Sequence, residues 1–202
     1  LNSSLSKRGT QIAELNSVLS EREKALAEYK ARAAQLERIK KRFEQLRSKL
    51  NELVNLGLAV KIRNNRMVIS LPGDVLFESG KDKLKGKGND VLKKVAAIIG
   101  GDAGLRKRVY QVAGHTDNVE LKGGIFMDNW GLSLMRARVV LLYIIDPKKG
   151  GLPKTNWSAA GFADTDPIAA NTDADGRQSN RRCEIIVVPS AEEMLDLKAI
   201  AK

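Results

Sequence analysis

The stretch Val109-Tyr110-Gln111-Val112-Ala113-Gly114-His115-Thr116-Asp117 reads as a strand that runs into a polar loop. Val109 to Ala113 has the β-branched and aromatic character of a strand, and Gly114 ends it. Helical patterns flank it on both sides. Val91 to Ile99 places Leu92, Val95, Ala96 and Ile99 on one helix face and stops at Gly100-Gly101. Leu132 to Ile145 reads as a second helix, ended by Asp146-Pro147. Upstream, Ala59-Val60-Lys61-Ile62-Arg63 and Arg66-Met67-Val68-Ile69-Ser70-Leu71 read as two strands. Asn64-Asn65 joins them, and asparagine tolerates the positive φ of a tight hairpin. Pro72-Gly73-Asp74 is a turn, and Val75 to Lys83 a structured loop. Trp157 to Ala160 and Glu184 to Val188 supply two further strands, the last closed by Pro189. The order β-β-α-β-α-β-β predicts an α/β (α+β) sandwich, with one mixed sheet and helices on one face.

Before this domain the composition differs. Residues 1–56 contain no proline and one glycine, Gly9. Apolar residues recur at Ile12, Leu15, Leu19, Leu26, Tyr29, Ala33 and Leu36, with Arg22 as a polar interruption. Near Leu36–Ile39 the seam shifts as a stammer would, and continues through Phe43, Leu46, Leu50 and Leu53. A narrow apolar stripe among Glu, Lys, Arg and Gln is a coiled-coil pattern. The alternative is a lone helix packed on the following domain. A straight helix over this length would reach roughly 80 Å at about 1.5 Å per residue. Gly57 ends it. The expected organisation is a stalk over 1–56, a globular domain over 57–190 and a short amphipathic helical tail over 191–202.

Composition narrows the chemistry. The chain has 202 residues, with one cysteine, Cys183, and one histidine, His115. An internal disulfide, a Cys-rich metal site and a two-His metal site are therefore excluded. No apolar run approaches the roughly 20 residues of a membrane-spanning helix. The net charge of +11 is distributed: residues 1–56 hold 12 Lys and Arg against 7 Asp and Glu, and residues 57–190 hold 21 against 14. Such a balance points to an anionic partner or surroundings without naming it. Nucleic acid is one candidate, but aromatics are only 4% and no stacking platform or reader motif is present.

Four segments carry the functional signal. They are Gly114-His115-Thr116-Asp117, Asn129-Trp130-Gly131-Leu132-Ser133-Leu134-Met135-Arg136-Ala137, Gly161-Phe162-Ala163-Asp164-Thr165-Asp166-Pro167-Ile168, and Gly176-Arg177-Gln178-Ser179-Asn180-Arg181-Arg182-Cys183-Glu184-Ile185. In this order they resemble the peptidoglycan-binding domain of the OmpA-like and MotB-like C-terminal family. The long loop between Asp117 and Asn129 is closer to the MotB branch. Val75-Leu76-Phe77-Glu78-Ser79-Gly80 resembles the family's first loop, with Glu78 where Asp is common.

The resemblance implies noncovalent binding to the diaminopimelate of the peptidoglycan stem peptide. The free end of that residue is a zwitterion and needs an anionic and a cationic partner. Asp117 matches the ammonium acceptor and Arg136 the carboxylate clamp, where a guanidinium fork gives two charge-assisted bonds. Thr116, Asn129, Leu132, Phe77, Glu78 and Arg182 complete the implied site. Which of Arg177, Arg181 and Arg182 is structural stays open. The resemblance further implies a periplasmic protein with no cofactor. The narrow apolar stripe of the stalk points to a homodimer through it, and attachment to the inner or outer membrane is expected through a segment upstream of Leu1. The expected role is to anchor an envelope protein or complex to the wall, with a stator or secretion-system component as the alternative.

Two false leads compete. His115, Asp117 and Ser133 are the residue types of a hydrolytic triad, but no G-x-S-x-G elbow is present and Ser133 is expected to cap a helix, so no catalysis is expected. Asn171-Thr172-Asp173-Ala174-Asp175-Gly176 imitates the start of a calcium loop, but the twelfth position is Arg182, a cation, so no metal is expected. Gly176 is expected to turn the chain instead.

Overall fold

A computed structural model of the chain describes residues 2–64, 66–78 and 80–190. The expected tail over 191–202 lies outside the described residues. The chain divides into two units, one the helical stretch before Gln45 and the other beginning at Gln45. In chain order the elements are α1 (Asn2–Lys49), α2 (Asn51–Asn55), β1 (Ala59–Arg63), β2 (Arg66–Pro72), α3 (Gly73–Leu76) and α4 (Gly86–Gly101). After them come α5 (Ala103–Arg106), β3 (Val109–Gly114), α6 (Asn129–Ile145), a 3-10 turn (Lys154–Asn156), β4 (Trp157–Gly161), α7 (Ala174–Asn180) and β5 (Arg182–Val188). Among the described residues no helix is long and apolar enough to cross a membrane.

In the first unit Ile12, Leu15, Leu19, Leu26, Tyr29 and Leu36 are each more than half exposed. The seam changes character at the start of the second unit, where Leu46, Leu50 and Leu53 are buried. There α2 lies against β1 and α4. Gly57, at φ 81°, turns the chain into β1 with a conformation that glycine adopts freely.

The five strands form one mixed sheet in the order β1-β2-β5-β3-β4. All neighbours are antiparallel except β3 and β4. Asn64 takes φ 50° at the β1–β2 hairpin, as the asparagine pair predicts. Register places Met67, Ile69 and Leu71 of β2 beside Val187, Ile185 and Cys183 of β5, and Val187 and Ile185 beside Tyr110 and Val112 of β3. All eight are buried and share one face, because strand side chains alternate. Gly114 falls on the same face, against α6. A Cβ there would overlap the Ser133 carbonyl oxygen, so the strand end and the helix approach as closely as they do only with glycine.

The opposite face is more polar. Arg63, Val68, Ser70, Arg182 and Glu184 line a cleft there with Pro167, Ile168 and Gln178. Three short helices escaped the sequence pattern: α3, α5 and α7 have too few residues for an apolar period. Gly176, expected as a turn, is inside α7 and packs against the Ala170 carbonyl.

Candidate functional site

β3 ends by running beside β4 and β5, and the next residues remain pinned. His115 N–H donates to the Arg182 carbonyl (2.9 Å), and Thr116 N–H donates to the Ala163 carbonyl (2.8 Å). Ala163 lies in the left-handed region at φ 46° and is held there by fixed partners: its carbonyl accepts from Thr116 N–H, and its own N–H donates to Ser133 Oγ (3.1 Å). Ser133 Oγ in turn donates to the Trp130 carbonyl (3.0 Å). The helix cap is Asp128, whose carboxylate accepts from Gly131 N–H, so Ser133 ties α6 to the 161–168 turn rather than capping it.

Asp117 emerges at the end of this pinned segment with its side chain 10% exposed. Its Oδ1 accepts from Val119 N–H (3.1 Å), and its Oδ2 accepts from Arg181 Nη1 (2.5 Å). Thr116 Oγ1 donates to the Asp117 carbonyl (2.9 Å). Asn129, at the start of α6, gives its amide to the loop: Nδ2 donates to the carbonyls of Val119 (3.0 Å) and Asp117 (3.4 Å), and Oδ1 accepts from Leu121 N–H (3.2 Å). Its evident work is to fix the backbone that carries Asp117.

Arg136, two turns into α6, is 6% exposed. Its guanidinium lies over the Phe77 ring, 5.2 Å from the centroid, and Nε donates to the Lys81 carbonyl (2.9 Å). Among the described residues it has no carboxylate within ion-pair distance. Burial pulls its pKa below the usual value; Arg181 acts in the same direction, while Asp117 and Asp82 act against it. A buried guanidinium without a counter-ion is electrostatically costly, and an arriving carboxylate relieves that cost. Phe77 and Leu132 are buried. Glu78 is engaged by Lys81 (2.8 Å) and Lys83 (3.9 Å), and the hydrogen bond from Lys81 holds its carboxyl below the usual range.

The three arginines separate by position. Arg182 begins β5 and is 2% exposed. Its Nε donates to Glu184 Oε1 (2.7 Å), and Nη2 donates to the Asp166 carbonyl (3.1 Å). Arg182, which the resemblance places among the ligand contacts, lies in a network on the polar sheet face, where the β5 register puts it. Arg181, one residue earlier, is the cation beside Asp117. Arg177 Nη1 donates to the Asn171 carbonyl (3.0 Å). Asp173 caps α7 through Gly176 N–H (2.7 Å), which accounts for the calcium-like spacing. Among the described residues no group of three or more His, Cys, Asp or Glu could hold a metal.

His115 belongs to the same network, away from Ser133. It stacks on Phe162 (5.2 Å between centroids, 13° between planes), and its Nε2 is 3.6 Å from Glu184 Oε2. Arg63 Nη2 reaches the same oxygen at 3.0 Å and also pairs with Asp166. Burial alone would raise the Glu184 carboxyl; His115 and Arg182 outweigh it and bring it down to about 2. Burial pushes the Cys183 thiol up to about 12, which leaves it an unreactive core residue.

Comparison with known proteins agrees with this architecture. The model of the OmpA family matches residues 76–181. Motility protein B of Bacillus subtilis is 30% identical over 132 residues, which are 65% of this chain and 49% of that protein. The chain thus spans about half the length of that curated relative. Among solved structures, the cell wall anchor of the T6SS from Pseudomonas aeruginosa superposes with a TM-score of 0.59 at 29% identity, covering 71% of this chain and 96% of that one. The periplasmic domain of Helicobacter pylori MotB gives a TM-score of 0.60 at 25% identity, covering 71% and 86%. The resemblance carried by the four sequence segments, and the mixed-sheet fold it implied, are borne out.

Proposed function

The chain belongs to the OmpA family, and from that premise we propose that it is a noncatalytic anchor that grips the diaminopimelate of the peptidoglycan stem peptide. The observation that carries this reading is Arg136, a buried guanidinium with no carboxylate partner among the described residues, in electrostatic range of Asp117. A fixed cation beside a fixed carboxylate is complementary to the ammonium and carboxylate on one carbon of that ligand. Asn129, Thr116 and Ser133 position the Asp117 backbone, and Phe77 supplies the floor under Arg136. The setting is the bacterial periplasm, and the relatives named above support a place in an envelope complex. The exposed seam of residues 12–36 supports a second copy of this chain as the stalk's partner, since a narrow apolar stripe is buried by a like stripe. Light scattering on the full chain should then give more than one subunit's mass; a single-subunit mass would sink the dimer.

Pull-down on purified sacculi tests the ligand. Asp117→Ala and Arg136→Ala should each weaken binding about ten- to hundredfold, since each removes a charge-assisted contact worth roughly 1.5–3 kcal/mol. Free diaminopimelate should compete, and lysine should compete less well because it lacks the second carboxylate. Undiminished binding by Arg136→Ala, or equal competition by lysine, would refute the clamp.

A further inference from the structure

The charges at this site do not balance. Asp117 is paired with Arg181, while Arg136 has no carboxylate partner among the described residues. The neighbouring loop does not correct the excess: Glu78 is engaged by Lys81 and Lys83, and among the described residues Asp82 makes no ion pair with Arg136. Asp117, Arg136 and Arg181 together carry one positive charge too many for a neutral zwitterion.

The Asp117–Arg181 pair also engages the carboxylate proposed to receive the ligand's ammonium. Arg181 Nη1 lies 2.5 Å from Oδ2, and Oδ1 already accepts from Val119 N–H. Two cations on one carboxylate oxygen repel each other. Of the two partners Arg181 is the one able to move, since its side chain is 40% exposed against 10% for Asp117. Once displaced, its guanidinium is free to pair with another anion within reach of the same place.

Resting on the diaminopimelate reading, we propose that Arg181 determines which stem peptides are accepted. It holds Asp117 in the empty site, yields that carboxylate to the ligand's ammonium, and takes a second carboxylate of the same ligand. The site therefore prefers a peptide with a further free carboxylate over one in which that carboxyl is amidated. Arg136 serves both, because it holds the carboxylate of the zwitterionic end.

Titration calorimetry on the full chain tests this with two peptides that end in diaminopimelate. Both keep the zwitterionic end; the carboxyl at the peptide end of that residue is free in one and a carboxamide in the other. The wild-type chain should prefer the free carboxylate about tenfold, the scale of one charge-assisted contact. Arg181→Gln should bind the two peptides equally, Arg181→Lys should retain part of the preference, and Arg136→Ala should lose affinity for both. Equal affinities in the wild-type chain, or a full preference in Arg181→Gln, would overturn the role of Arg181 and leave wall binding standing. If neither peptide bound the wild-type chain, the diaminopimelate reading would fail and take this proposal with it.

Discussion

Leu19 and Leu53 belong to one apolar seam in the sequence, shifted once near Leu36–Ile39, yet Leu19 is 56% exposed and Leu53 is fully buried. The first lies in the helical unit before Gln45, the second in the unit that follows. Residue type and helical spacing are alike, so neither explains the difference. What differs is the supply of neighbours within each unit. A lone helix satisfies its backbone internally but offers nothing to cover its apolar stripe. In the second unit α2 lies against β1 and α4, and the same stripe becomes core. An apolar seam thus states a need for a partner and leaves open whether that partner is another chain or another part of the same one.

The second unit can be followed by itself because Trp130 and Trp157 are the only tryptophans, and both belong to it. Tryptophan fluorescence during urea unfolding therefore reports that unit. The largest loss should come from Glu184→Ala. It strips Arg182 and Arg63 of a buried partner, and breaking such a pair costs about 3–5 kcal/mol. A loss under about 1 kcal/mol would mean that the network contributes little beyond its solvation cost. Leu53→Ala should follow at about 2–5 kcal/mol, the usual range for truncating a fully buried leucine.

Acid separates the units in another way. Glu184 is held at about 2, below its ordinary 4.5, by His115 and Arg182 against the effect of burial. A carboxyl depressed in the folded state contributes stability that is present above about pH 4.5 and is lost as pH falls through about 2. The wild-type chain should therefore lose tryptophan-reported stability more steeply over that window than Glu184→Gln. Parallel curves would remove Glu184 from the account of acid sensitivity. The smallest effect should come from Leu19→Ala, within about 0.5 kcal/mol on the same signal, because an exposed side chain leaves no cavity. If Leu19 serves a second copy, the substitution should lower the mass measured by light scattering without moving the fluorescence midpoint. A shift as large as that of Leu53→Ala would break the contrast between the two units.

The sequence by itself determined the order of the five strands and of the two long helices between them, the hairpin at Asn64, and the four segments that carry Asp117 and Arg136. Apolar periods, turn residues and fixed motif spacings are local properties that survive without a structure. It did not determine the partners of the three arginines. Arg181 reaches Asp117 across 64 residues, and Arg63 reaches Glu184 across 121. Neighbouring arginines look alike in sequence, but the start of β5 between Arg181 and Arg182 sends one to Asp117 and the other to the polar sheet face. The roles of Ser133 and Gly176 were hidden for the same reason. Ser133 is defined by a turn 30 residues away, and Gly176 by the Ala170 carbonyl against which α7 packs. Such contacts depend on strand register and on how closely separate elements approach, and only the closed tertiary structure sets those.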